Sequence, residues 1–83
     1  MSNKNIMDQI YLIGDLARLS GFSIDTLNYY LRIGLIEAKG RSMHNGYRYF
    51  DNETIELLNK IKEYRAKHVP IRYIKRRIED GIL

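Results

Sequence analysis

The run from Ile13 to Tyr30 constrains this chain more than any other stretch. It predicts two short helices joined by a tight turn. The first helix is expected over Gly14 to Ser20, with Leu16, Ala17 and Leu19 on its buried side. Ala17 is small enough for a close helix crossing. Gly21 falls where the turn needs a positive φ, and Phe22 plugs the corner behind it. Ser23 is a good N-cap for the second helix, and Asp25 and Thr26 occupy its first turn, where an acid suits the helix dipole. Leu27 and Tyr30 lie three apart and face the first helix, whereas Asp25, Asn28, Tyr29 and Arg32 fall on the other side. Gly34 ends the helix. A second helix with a polar, tyrosine-bearing free face is how a helix-turn-helix addresses the major groove of DNA.

The remaining residues fit one small domain. At 83 residues the chain buries roughly 60–65% of the surface its unfolded form exposes. It has no cysteine, which excludes a disulfide framework and a thiolate metal site and suits an intracellular compartment. No apolar run approaches the ~20 residues of a membrane span. Met1 to Asn5 lack the apolar stretch of a signal peptide, and residues 1–10 read as a flexible tail ahead of a domain over 11–83. Tyr11 to Ile13 form a short apolar entry with strand character, and Leu35 to Lys39 look extended. Asn45-Gly46 is a strong turn signal between Gly40–Gly46 and Tyr47–Phe50, predicting a two-stranded hairpin or wing whose tip carries Arg41, His44 and Arg48. Asp51 caps a third helix with Ile55, Leu58, Ile61 and Tyr64 as its apolar stripe. Pro70 suits the start of a last helix, faced by Ile71, Ile74 and Ile78 and ended by Gly81. The fold class expected is mainly α: a winged helix-turn-helix with two helix-turn-helix helices, a short β-hairpin wing and two further helices.

The net charge of +4 is unevenly spread. Residues 1–40 hold four basic and four acidic groups, whereas residues 41–83 hold ten basic and six acidic ones. From Arg65 to Arg77 there are six basic residues and no acid, a stripe that favours a polyanion such as nucleic acid or else forms a solvated helix face.

Tyr11-Leu12-Ile13-Gly14-Asp15-Leu16-Ala17, Ser23-Ile24-Asp25-Thr26-Leu27-Asn28-Tyr29-Tyr30, Ile33-Gly34-Leu35-Ile36 and Asn45-Gly46-Tyr47-Arg48-Tyr49-Phe50 occur in this order and spacing. Together they resemble the DNA-binding domain of the MerR (mercury-resistance regulator) family of bacterial transcription regulators. The Ile71 to Ile78 stretch resembles that family's second wing helix. The chain departs from the family pattern at Asn28, where arginine is usual, and at Leu31, where glutamate is usual. His68-Val69-Pro70 replaces the usual small, serine-capped link. The family continues into a long pairing helix and an effector domain. The chain therefore reads as a DNA-binding unit taken from a longer protein, with a complete minimal protein as the alternative.

Each candidate contact residue has a second, structural role to weigh. Ser23 and Thr26 can offer backbone and hydroxyl donors to phosphate at a helix start, or simply cap it. Tyr29 can lay its ring along a sugar and reach phosphate with its hydroxyl, or belong partly to the core, and Tyr30 is assigned to the core. Asn28 can pair bidentately with adenine or stand as an exposed spectator. Asp25 can accept from cytosine or serve the helix start. Arg18 leaves the first helix towards the backbone, and Arg32 shares the free face of the second. In the wing, Tyr47 and Arg48 match family positions that grip the backbone, with Arg41 and His44 flanking the turn. Lys75 and Arg76, with Arg77, either embrace phosphates from the second wing or stay solvated. No catalytic residue, metal site or cofactor is expected, because the sequence has no glycine-rich phosphate loop, nucleophile elbow or metal-ligand spacing.

The resemblance implies two copies on an inverted repeat within a promoter, bending and untwisting the DNA for RNA polymerase. It places the protein in the cytoplasm with the nucleoid, as a homodimer at full length. This stretch alone, without a pairing helix, is expected to be monomeric. An excisionase-like or architectural factor of a mobile element and a winged-helix protein-interaction module are the alternatives.

Overall fold

A computed structural model describes residues 9–83 of the chain, so the tail expected over residues 1–10 falls, up to residue 8, outside the described residues. Helix α1 spans Ile13–Ser20. Its start is held from one side only: the Asp15 carboxylate accepts the Leu12 amide at 3.0 Å, and the Leu12 side chain has no oxygen to return the bond. The strand-like entry reduces to Tyr11 alone, bridged antiparallel to Phe50. The helix stops at Gly21, whose φ of 85° lets its amide reach the Ala17 carbonyl at 2.9 Å. Leu16 and Ser20 are its buried residues. Leu19 does not join them and stays 44% exposed. Successive helical positions turn by about 100°, which puts Leu19 well off the arc that Leu16 and Ser20 share. The small serine takes the close packing, and its Oγ accepts the Phe22 amide at 3.1 Å.

Helix α2 (Ile24–Arg32) packs on α1 through Leu27 and Tyr30, both buried as expected. It ends in a Schellman motif around Gly34 (φ 78°), with the Leu35 amide on the Tyr30 carbonyl at 2.8 Å and the Gly34 amide on the Leu31 carbonyl at 3.1 Å. This corrects the extended segment expected over Leu35 to Lys39. The amides of Leu35 and Ile36 both turn back to Tyr30, which drives the two side chains together into the core instead of to opposite faces. Cross-strand bonding starts only where the Lys39 amide meets the Tyr49 carbonyl. Strands β1 (Gly40–Arg41) and β2 (Arg48–Tyr49) form the wing, with Gly40 opposite Tyr49 and Arg41 opposite Arg48.

Asp51 caps helix α3 (Asn52–Ala66) by accepting the Glu53 amide at 3.0 Å. Its buried line is Thr54, Leu58 and Ile61, while Ile55 and Tyr64 sit half-buried beside it. Helix α4 (Ile71–Glu79) starts after Pro70 and seats Ile74 fully and Ile71 and Ile78 partly. α3 contacts both α1 and α4. The resulting core joins Leu16, Leu27, Tyr30, Leu35, Ile36, Phe50, Leu58, Ile61 and Ile74. Each large side chain so buried contributes about 1.5–3 kcal/mol. The architecture is the winged helix-turn-helix expected. Among the described residues no helix is long and apolar enough to cross a membrane.

The exit of α3 repeats the Schellman geometry of α2 with a different residue at the left-handed position. His68 has a φ of 64° and its amide reaches the Arg65 carbonyl at 2.9 Å, while the Val69 amide reaches Tyr64 at 3.0 Å. A side chain with a Cβ is held there at a steric cost. His68→Gly is expected to raise stability by about 0.5–1 kcal/mol, read as a higher urea midpoint with an unchanged slope.

Candidate nucleic-acid interface

The N-terminus of α2 is closed by its own side chains. Ser23 Oγ accepts the Thr26 amide at 3.0 Å and donates to Thr26 Oγ1 at 3.0 Å. Both hydroxyls therefore serve the cap in this state. Asp25 stands exposed in the first turn. Beyond it, an aromatic relay runs outward from the half-buried Phe22. The rings of Phe22 and Tyr30 meet edge-on at 5.5 Å, Tyr30 and Tyr29 lie 6.1 Å apart, and the Arg32 guanidinium sits 5.5 Å from the Tyr29 ring centre. The anchored end is Tyr30, whose phenol is pushed to a higher pKa by burial, partly offset by Arg65. The free end is Tyr29, 42% exposed. Tyr29 and Arg32 are thus oriented by packing and not only by their place on the helix.

The wing opposes two cations. Arg41 and Arg48 are register partners, so their side chains leave the same face of the ladder. Like charges directly opposite one another are destabilising, and an anion between them relieves the repulsion. Arg41 meanwhile donates to the Gly46 carbonyl at 3.0 Å. The loop between the strands is tied by further bonds. Ser42 and Tyr47 join at 2.8 Å, the Gly46 amide reaches Ser42 at 2.7 Å, the His44 amide reaches Ser42 Oγ at 3.1 Å, and the Tyr47 amide reaches Asn45 Oδ1 at 3.0 Å. His44 and the fully exposed Met43 stand at its tip.

Between the start of α1, helix α2 and the wing lies an open cleft of about 660 Å³. Asn28, Arg41, Tyr47 and Arg48 line it together with Asp15 and Leu31. A second, adjoining hollow is walled by Asn28, Leu31, Arg32 and Arg48. The fold therefore gathers Asn28, Arg32, Arg41, Tyr47 and Arg48 around one concavity. The other candidates sit apart. Arg18 is exposed and pairs with Asp15 at 3.2 Å. The Asp15 carboxyl is held below its ordinary pKa chiefly by the Leu12 amide, with Arg18 adding to it. Lys75 pairs with Glu79, and its stem lies beside Gly34 at the exit of α2. Arg76 points elsewhere, into a groove with Tyr64, Val69, Tyr73 and Arg77. Lys75 and Arg76 thus lie in different surroundings on α4. Sequence reasoning gave Leu31 no role, although it follows Asn28 at a spacing of three on α2.

Comparisons with known proteins agree with this fold. Residues 11–80 match the family described as MerR HTH family regulatory protein. The chain is 42% identical over 71 residues to the transcriptional regulator BrlR of Pseudomonas aeruginosa, covering 86% of this chain and 26% of that protein. It is 36% identical over 66 residues to the HTH-type transcriptional regulator SkgA of Caulobacter vibrioides, covering 80% and 26%. Over 72 residues it is 33% identical to the HTH-type transcriptional regulator CueR of Bacillus subtilis, covering 87% and 49%. The crystal structure of SkgA from Caulobacter crescentus superposes with a TM-score of 0.76 at 34% identity, covering 84% of this chain and 50% of that one. The chain thus spans 26% of the length of BrlR and of SkgA.

Two outcomes test the local geometry. Ser23→Ala is expected to cost about 1 kcal/mol of stability in urea denaturation, because the Thr26 amide loses its acceptor. For Asp15, a folded pKa below the ordinary 3.8 means its stabilising contribution is present above that value and is lost as pH falls through the folded one. Acid titration of thermal stability should therefore show a shallower decline for Asp15→Asn than for the parent chain.

Proposed function

Because this chain belongs to the MerR helix-turn-helix family, whose members regulate transcription by binding specific DNA sequences, we propose that α2 enters the major groove while the wing straddles the neighbouring sugar-phosphate backbone. The observation that carries this reading is the concavity shared by Asn28, Arg32, Tyr47 and the opposed pair Arg41 and Arg48. One phosphate strand lodged there screens the two arginines from each other and meets the Tyr47 hydroxyl. Phosphate contacts of this kind fix register, while base edges supply sequence information. In this reading Arg48 is the principal backbone anchor and Arg41 its partner, with His44 at the far end of the wing. Asn28 faces bases, with adenine as its natural bidentate partner. Tyr29 and Arg32 border the same strand from the α2 side, ordered by the aromatic relay behind them. Ser23, Thr26 and Asp25 chiefly maintain the start of α2, and the first two present it to a phosphate. Arg18 exchanges Asp15 for phosphate, a small change because exposed pairs are worth at most about 1 kcal/mol. Lys75 supports the α2 exit, and Arg76 adds a peripheral contact from the second wing.

For the whole protein, the reading extends to a homodimer on an inverted repeat in a promoter. There it bends the duplex, at an elastic cost of roughly 1–6 kcal/mol, for the benefit of RNA polymerase. Its place of action is then the nucleoid, and its role is regulatory and not catalytic.

The test is duplex binding at several salt concentrations. Selection from a random pool should yield a preferred half-site, and log affinity should fall linearly with log salt, by about 0.9 for each phosphate neutralised. Arg48→Ala should reduce that slope by about one contact, whereas Asn28→Arg should steepen it and tighten binding at low salt. An affinity indifferent to salt, or a slope unchanged by Arg48→Ala, would refute the assignment of the wing.

A further inference from the structure

Leu31 is the one apolar side chain that α2 itself contributes to the cleft and to the hollow beside it. It is only half-buried, so part of its surface stays open to whatever occupies that space. It lies three residues after Asn28, on the side of α2 that looks across the gap to Arg48. Leu27 and Tyr30 define the buried direction of the helix, and Leu31 falls on the flank between them and the base-facing Asn28. In the DNA-binding reading above, a strand held by Arg48 and Tyr47 runs along that flank. The group of a base nearest its own backbone at the outer edge of the major groove is the thymine C5-methyl, which is also the only apolar group displayed there. An aliphatic side chain at the groove wall has no hydrogen bond to offer, and a methyl asks for none.

We propose that Leu31 is a specificity-determining residue that reads a thymine C5-methyl on the strand clamped between α2 and the wing, beside the base edge met by Asn28. This rests on the DNA-binding reading above and deepens it. Asn28 and Leu31 then form a two-residue reader of an A·T-rich step: one recognises adenine by its paired donor and acceptor, the other thymine by its methyl. Polar contacts to phosphate cannot make that distinction.

The experiment uses the half-site duplex selected by the parent chain. Each thymine is replaced in turn by deoxyuridine, which removes the methyl and leaves base pairing intact. At one thymine per half-site the parent chain should lose ~4-fold in affinity, the value of burying one methyl. Leu31→Ala should show a ratio near one at that same thymine and unchanged ratios elsewhere. The reading is a ratio between two duplexes for one protein, so any loss of folded Leu31→Ala cancels. Leu31→Met, which keeps aliphatic bulk, should retain most of the ratio. Equal affinity of the parent chain for thymine and deoxyuridine at every position would overturn the inference, as would an undiminished ratio in Leu31→Ala. Both leave DNA binding intact. Failure to bind any duplex would instead overturn the DNA-binding reading, and this inference with it.

Discussion

The position of the wing relative to α2 depends on a bridge one residue wide. Tyr11 and Phe50 exchange both of their backbone hydrogen bonds, each at 2.8 Å, tying the segment ahead of α1 to the residue that follows β2. Phe50 buries its ring fully in the core, and Tyr11 Oη lies 2.8 Å from Asn52 Oδ1 at the start of α3. A two-residue ladder between β1 and β2 is far too short to hold a hairpin in place by itself. This attachment anchors the base of the hairpin and, with Lys39 on Glu53, holds it beside the cleft that it shares with α2.

The charges follow the same division between scaffold and surface. Lys39 bonds Glu53 and lies 3.8 Å from Asp51, at the junction of wing and α3, and hydrogen bonding to Glu53 raises its pKa. Lys75 answers Glu79, and Arg18 answers Asp15. These cations are engaged within the fold. Arg48 takes part in none of the described ion pairs and faces a like charge across the ladder. Asp15, Asp51, Glu53 and Glu79 stand beside cations of the scaffold, while the opposed Arg41 and Arg48 bring positive charge to the cleft, an arrangement that draws in a polyanion.

Much of this was legible in the sequence because the relevant signals are local. Ser23, Asp51, Gly21 and Gly34 each act within a few residues of themselves, and their caps and turns stand where expected. Leu27 and Tyr30 were readable as core for the same reason. The misses concern what lies across space. Leu19 was given a buried place by its hydrophobicity, but the crossing of α1 needed a small residue and took Ser20. Leu35 and Ile36 resembled a strand until the Tyr30 carbonyl claimed both amides. Lys75 and Arg76 are neighbours in a basic run, yet the helix turns one towards Gly34 and the other towards Tyr64 and Tyr73. Leu31 became visible as a functional candidate only once the wing stood opposite it.

The wing tip has a thermodynamic consequence. Five hydrogen bonds, from Arg41, Ser42, His44, Gly46 and Tyr47, fix its backbone while Met43 projects fully into solvent. A loop already ordered gives up little conformational entropy on meeting a partner. If the wing meets DNA as proposed, complex formation should therefore lack the large heat-capacity change of coupled folding, and its calorimetric signature should report surface desolvation and counterion release.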